Sequence, residues 1–527
     1  MRGQSSAMRL ARPAALALAC ALLCAGAQAG ASGERFYQTK TPYQPQQEMA
    51  RYQPVPAGYH AVQTQMLARH GARGLTGFKT DLALYNLWLQ ASQEGALTPL
   101  GAALGPDLRQ LMRANFLLGY GVPGISKPGY GNETMQGIQE HTALAQRMQQ
   151  RLPELFRDAA ASAAQQPRRI TVVTSGKDRA VDSGAFFVQA LLARQAGLAP
   201  LLDYPPARAP QAASADGKRP AGTDRYQLYF HQLNAKQDKG SDPADPLYRT
   251  YMDSQAYQAY ASSADLHTKE GEILNQPRLA EAAQVVLARL FTPAFVASFS
   301  QGRRSTNSGT YSYTSNDGKL VQTLTGDGHT VIDNPTSAAL ALYELYCAAA
   351  DMQGEGVADF GRYLPSAQAA VFAETDDAIS FYRKGPASAG SGGVTYRMAQ
   401  LLLDDFFNTA DAAARGDLSQ AAKLRFAHAE TVVPFAALLG LRGMSESLPD
   451  DVTYRYDNSP WRGETVAPMA ANVQWDVYRN ADGNTLVRML YNEKETAFKP
   501  ACDSARIGSD SFYYDYGRLR ACYRNQP

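Results

Sequence analysis

The chain has 527 residues, 45% apolar and 19% charged with no long charge block, which excludes intrinsic disorder for most of the length and leaves room for two or three domains or one large elaborated one. Lysine plus arginine number 51 against 49 for aspartate plus glutamate, a formal charge of +2. That balance excludes a protein that holds nucleic acid through its overall field, so any anion it binds has to meet a local basic patch.

Met1 to Ala29 carry Arg2, Arg9 and Arg12, then the apolar run Ala14 to Ala25, then Ala27-Gln28-Ala29, the order of a secretory signal cleaved near Ala29. The run is too short to span a bilayer, and a buried N-terminal helix is the other reading. A periplasmic or secreted protein is expected, with no membrane span after signal removal. Losing three arginines leaves 48 basic residues against 49 acidic ones. Of the five cysteines, Cys20 and Cys24 leave with the signal and three meet an oxidising compartment. Cys502 and Cys522 are the natural pair, closing a loop of about 20 residues for roughly 3 kcal/mol. Cys347, inside the apolar Ala339 to Ala350, reads as a buried free thiol.

In chain order, Phe36 to Pro56 is rich in Tyr, Gln and Pro without periodicity and reads as an extended arm. Val62 to Ala68 is a mostly apolar run ending in Arg69-His70-Gly71, a buried strand entering a tight loop. Arg168 to Thr174 repeats the pattern, followed by helical spacing over Val181 to Ala193. Tyr204 to Thr223, dense in Pro, Ala, Gly and charge, marks a boundary or long loop. Helices are predicted over Leu279 to Ser298 and Ser337 to Met352, with a hairpin excursion over Gln301 to Asp333 and a Gly/Ser loop over Pro386 to Val394. Leu424 to Ala427 leads through His428-Ala429-Glu430 into a helix over Thr431 to Leu441. Strands followed by helices imply parallel pairing. The expectation is an α/β domain over 30–205 and 385–527, interrupted by a mainly helical cap over 206–384, with no fixed-period repeat.

No G-x-S-x-G, H-E-x-x-H, C-x-x-C or Walker-type loop is present, which removes the common hydrolase and nucleotide classes. The chemistry-bearing residues gather at the C-terminal ends of three inferred strands, where open parallel sheets place ligands. The first end carries Arg69, His70 and Arg73; the second Lys177 and Arg179; the third Arg425, His428 and Glu430. Two flanking guanidinium groups keep an imidazole neutral and nucleophilic, and their planar forks match phosphate oxygens. His70 can attack phosphorus, and Glu430 can hand a proton to the departing alkoxide. His70 as a satisfied core histidine remains an alternative. So does a metal held by His428 and Glu430, although His60, His141, His231, His267 and His329 show no ligand spacing.

Arg69-His70-Gly71-Ala72-Arg73 resembles the R-H-G-x-R signature of the histidine phosphatase superfamily, and His428-Ala429-Glu430 resembles the H-A-E proton-donor motif of its multiple inositol polyphosphate phosphatases. Gly131-Asn132-Glu133-Thr134, Thr174 to Arg179, Tyr382 to Gly385 and Val487 to Asn492 are similar too, so the resemblance extends over almost all of the mature chain. It implies a phosphoglycerate-mutase-like fold with a mostly parallel sheet flanked by helices. It also implies a phosphohistidine on His70, a phosphate pocket from Arg69, Arg73, Arg179 and His428, Glu430 as the acid, and neither metal nor cofactor. Two departures stand out: Gly74-Leu75 replaces the proline that acid phosphatases carry after the second arginine, and Glu430 replaces the aspartate of the H-D branch, which favours the inositol polyphosphate group.

An inositol carrying six phosphates has roughly −9 to −12 charge, at about −1.5 to −2 per group. Only one phosphate fits the His70 pocket, so the others need a basic rim, for which Lys79, Lys177, Arg383, Lys384 and Arg397 are the candidates. The expected activity is stepwise removal of phosphates from inositol polyphosphates. A broad acid or sugar phosphatase and a non-catalytic polyphosphate binder are the competing readings, and no nucleic acid partner is expected.

Overall fold

The strands in chain order are β1 (His60–Arg69), β2 (Arg169–Thr174), β3 (Leu202–Asp203), β4 (Ser305–Thr314), β5 (Val321–Ile332), β6 (Gln420–Ala427), β7 (Asn472–Arg479), β8 (Thr485–Tyr491), β9 (Lys494–Thr496) and β10 (Tyr513–Asp515). The computed structural model describes residues 34–206 and 221–525. The signal segment over 1–29, with Cys20 and Cys24, and most of the Tyr204 to Thr223 loop lie outside them.

The main sheet runs β10-β8-β7-β1-β6-β2-β3, with β9 on β8. β1, β6, β2 and β3 are mutually parallel, while β7 joins β1 antiparallel and begins an antiparallel half. The parallel pairs come from the strand-then-helix order read in the sequence, and the sheet flanked by helices is the expected α/β class. Central position explains why the last seven residues of β1 are buried.

Alternation along these strands builds two cores. Met66, Ala68, Val172, Leu424 and Phe426 face one side, against helices Met135–Arg151 and Asp178–Arg194. Leu67, Val173 and Ala427 face the other, against Gln400–Ala414 and Ala429–Leu438. A third core, off the sheet, joins Leu75 to Phe116 with Leu279 to Ala373. The helical layer thus also draws on helices Thr80–Gln93 and Pro99–Phe116, which precede β2.

The predicted helix over Leu279 to Ser298 is two helices, Pro277–Ala288 and Pro293–Ala297. Pro293 lacks an N–H and disfavours a helical residue before it, so the chain breaks there and restarts. Helix Pro335–Asp351 begins at a reciprocal cap between Asn334 and Ser337. The excursion over Gln301 to Asp333 is the antiparallel hairpin β4–β5. Cys502 and Cys522 form a disulfide with Cα atoms 5.7 Å apart. Cys347 is a buried free cysteine whose thiol burial pushes up to about 12. Among the described residues no helix is long and apolar enough to cross a membrane.

Candidate active site

The C-terminal ends of β1, β2 and β6 lie side by side because those strands are neighbours in register, Ala68 beside Phe426 and Phe426 beside Thr174. The residues that follow them line one cavity of about 960 Å3, near the upper end of the roughly 300–1,000 Å3 usual for small-molecule sites. His70 leaves β1 with its N–H donated to the Ala427 carbonyl (2.9 Å) and its own carbonyl accepting from Ala470 (3.0 Å). The next turn packs backbone to backbone on the start of helix Met135–Arg151: a Cβ on Gly71 would lie 2.6 Å from Gly137 Cα. Only glycine fits at that position. Gly71 donates to Glu133 Oε1 (3.0 Å) and Ala72 to Glu140 Oε2 (2.7 Å), so two buried carboxylates hold the loop by its amides. Burial pushes the Glu133 carboxyl up to about 8, against the pull of Ser183 and Gly71.

His70 is 3% exposed, and its Nδ1–H donates to the Gly71 carbonyl at 2.9 Å. A carbonyl can only accept, which assigns the proton to Nδ1 and leaves the Nε2 lone pair free. Burial first, then Arg179 and Arg69, hold its pKa well below the usual imidazole range. The ring is therefore neutral in neutral solution. His428, at the N-cap of helix Ala429–Leu438, lies edge-on to it with ring centres 5.4 Å apart and shares a 2.8 Å hydrogen bond from Nε2 with Ser175 Oγ.

Among the described residues, no carboxylate forms an ion pair with Arg69, Arg73 or Arg179. Arg69 donates to the carbonyls of Thr39 and Ala467, and Arg73 to that of Gly74. The Nε groups of Arg69, Arg73 and Arg179 and Nδ1 of His428 are buried without a partner. Burial, then the positive charge of Arg73, lowers Arg69 and Arg179 to about 10 each. Mutual repulsion of this kind costs stability unless an anion with several acceptor oxygens completes it.

Glu430 stands in the first turn of its helix, half-buried, and Lys384 Nζ donates to its Oε1 at 3.0 Å. Burial pushes that carboxyl up, but Lys384 foremost outweighs it and holds it well below the usual carboxylate range. It is ionised in this state.

The structure brings Arg69, His70, Arg73, Arg179, His428 and Glu430 to one cavity, together with Arg383 and Lys384 of the predicted rim. Lys177 lines an adjoining cavity of about 390 Å3 that shares Thr76 and Arg179 with the first, and its ammonium sits 4.8 Å over the Tyr229 ring. Lys79 and Arg397 line neither cavity. Arg425, at the third strand end, stands apart: its Nε donates to Asp405 Oδ2 at 3.0 Å, and it stacks 4.2 Å over Phe406. Side chains two apart in a strand share a face, so Arg425 lies with Ala427 on the side of helix Gln400–Ala414, where Asp405 and Phe406 occupy it.

Several lining residues escaped the sequence reading. Thr39 and Lys40 come from the arm, which forms the short turn Gln38–Lys40 rather than a plain extended run. Tyr229, His231 and Tyr257 come from the segment between β3 and β4. His141 donates from Nε2 to the Arg69 carbonyl (3.1 Å) and so supports the loop from behind. The one available signal was the excess of aromatic and histidine residues around 226–231. Gly74-Leu75, without the proline, is held by other means: Gly74 donates to the Asn132 carbonyl (3.1 Å) and Leu75 to Asn115 Oδ1 (2.8 Å).

A parallel half-sheet delivers an R-H-G-x-R loop and an H-A-E helix start to one cationic cavity, the features that mark a histidine-phosphatase fold. The family model of the histidine phosphatase superfamily (branch 2) matches residues 62–492, and the chain belongs to that family. It is similar to the multiple inositol polyphosphate phosphatase of Bifidobacterium longum solved with inositol hexasulfate, at 34% identity, over 93% of this chain and 97% of that one, with a TM-score of 0.77. The apo form of that relative matches at 33% identity with a TM-score of 0.79 over the same shares. Multiple inositol polyphosphate phosphatase 1 of Dictyostelium discoideum is 30% identical over 105 residues, 19% of this chain and 15% of that protein, so the chain matches only a small part of that relative's length.

Proposed function

We propose that the protein removes phosphates stepwise from myo-inositol hexakisphosphate and lower inositol polyphosphates through a covalent phosphohistidine on His70. The observation that carries this reading is the set of carboxylate-free arginines, Arg69, Arg73 and Arg179, lining one cavity with a neutral imidazole whose Nε2 is unprotonated. Three forks and His428 suit the equatorial oxygens of a transferring phosphoryl group, whose charge is spread over those oxygens. His70 Nε2 forms a bond to phosphorus as the ester P–O bond breaks. Glu430, protonated at that moment, gives its proton to the departing oxygen. As a carboxylate it then takes a proton from the water that cleaves the N–P bond and releases inorganic phosphate.

The breadth of the cavity supports a polyphosphorylated substrate over a single small ester. Segment 206–384 acts as the cap, supported by its contribution of Tyr229, His231, Tyr257, Arg383 and Lys384 to the lining. The signal-like segment over 1–29 supports action outside the cytoplasm.

The test pairs turnover with trapping. Wild-type protein should accumulate labelled phosphate on His70 under rapid acid-free quench, and His70→Ala should lose roughly 10^4-fold or more of kcat while still binding substrate. A preference for glucose 1-phosphate over inositol hexakisphosphate would replace this substrate assignment with a broad sugar phosphatase.

A further inference from the structure

We propose that Lys384 makes the acid step depend on a second phosphate: while a lone phosphoryl group fills the His70 pocket Lys384 stays on Glu430, and a neighbouring phosphate of the same substrate draws it away, freeing the carboxyl to take up a proton. The inference rests on the phosphatase reading above and adds to it a reason for preferring polyphosphates.

Lys384 is the last residue of helix Ser366–Lys384, and its side chain is 17% exposed against 37% for Glu430. The pair therefore sits at the cavity wall, where substrate reaches it. The other charged and titratable groups that face Glu430 are His231 from the turn Phe230–Gln232, His428, Tyr257 from helix Pro246–Ala261, and Arg69, Arg73 and Arg179 from the strand ends. Lys384 is the one whose hydrogen bond to the carboxylate is 3.0 Å long. Its neighbour Arg383 is unable to replace it, because Glu270 Oε2 holds its Nη2 at 2.9 Å within a two-pronged pair.

A lysine is a compact charge on a flexible stem with three donors, suited to changing partners. A phosphate carries about −1.5 to −2 charge and three acceptor oxygens, against one charge on a carboxylate, so it outcompetes Glu430 for the ammonium. With Lys384 on the phosphate, Glu430 takes a proton from solvent and can pass it to the leaving alkoxide. A monophosphate ester offers no such group, and Glu430 stays ionised and unable to donate.

The experiment measures pH profiles of kcat and kcat/KM for wild type, Lys384→Met, Lys384→Gln and Lys384→Arg on inositol hexakisphosphate and on glycerol 1-phosphate, whose leaving group is also an alkoxide. Removing the ammonium should move the falling limb on glycerol 1-phosphate upward by about one pH unit and raise turnover above that limb. The same change should cut kcat/KM on the hexakisphosphate roughly tenfold or more, the loss of one phosphate contact. Lys384→Arg should keep the wild-type ranking. A fall on the hexakisphosphate with an unmoved glycerol 1-phosphate profile in both neutral variants would make Lys384 a plain substrate contact and overturn the proposal. Wild-type protein without turnover on either ester would instead overturn the phosphatase reading beneath it.

Discussion

The two halves of the main sheet bury arginines in opposite ways. At the antiparallel half, Arg488 of β8 and Arg151 of helix Met135–Arg151 share Asp476 at 3.2 and 3.0 Å, Arg488 also meets Glu495 at 3.2 Å, and Arg147 of the same helix meets Glu493 at 2.7 Å. Burial there is outweighed by neighbouring groups, the Tyr478 hydroxyl and the Asp476 carboxylate among them, and Arg488 holds its proton more tightly than a free guanidinium. At the parallel end, Arg69 and Arg179 are lowered to about 10 by burial and by Arg73. Matched charges make a framework; unmatched ones of the same residue type leave a cationic cavity suited to an anion.

The largest expected effect is on the framework. Asp476→Ala leaves the buried Arg151 without a carboxylate and Arg488 with Glu495 alone, and should cost about 3–5 kcal/mol in chemical denaturation, with activity per folded molecule nearly unchanged. The reverse pattern is expected at the site, where Arg179→Ala should lower kcat/KM about 10^2 to 10^3-fold while leaving the melting temperature level or raised, since it relieves repulsion. If Arg179→Ala unfolds the protein instead, the site arginines are structural and the contrast fails. A smaller effect tests the third kind of arginine, Arg425, which with Lys423 faces Asp405 across a largely buried pair. Burial pushes that carboxyl up, but Arg425 and Lys423 outweigh it and hold it at about 2. A folded-state pKa below the unfolded one stabilises at pH above about 4 and is lost as pH falls toward 2. Asp405→Asn should therefore cost about 2 kcal/mol at neutral pH and nothing near pH 2, measured by denaturation at both.

Much of this site was legible along the chain because strand, loop and helix are local patterns and the motif residues sit at fixed offsets from strand ends. Arg69, His70 and Arg73 follow one apolar run, Arg179 a second, and His428 with Glu430 a third; parallel pairing of the three runs is enough to collect them. The rim was less legible. Lys79 and Arg397 are cations like Lys384, yet only Lys384 lies at the cavity, at the end of a helix whose direction is fixed by packing in the off-sheet core. Lys40 had no local signal and His231 only the cluster of aromatic residues around it, since they arrive from an arm and from the segment between β3 and β4.

By itself the sequence determined the α/β class, the three loops that meet at the cavity and the cysteine pair near the C-terminus. Whether a given cation meets a carboxylate was decided only by the tertiary structure. Arg179 and Arg488 look alike as letters. Arg488 meets Asp476 on another strand, whereas no carboxylate among the described residues pairs with Arg179, and electrostatic energy depends on distance in space rather than on separation along the chain.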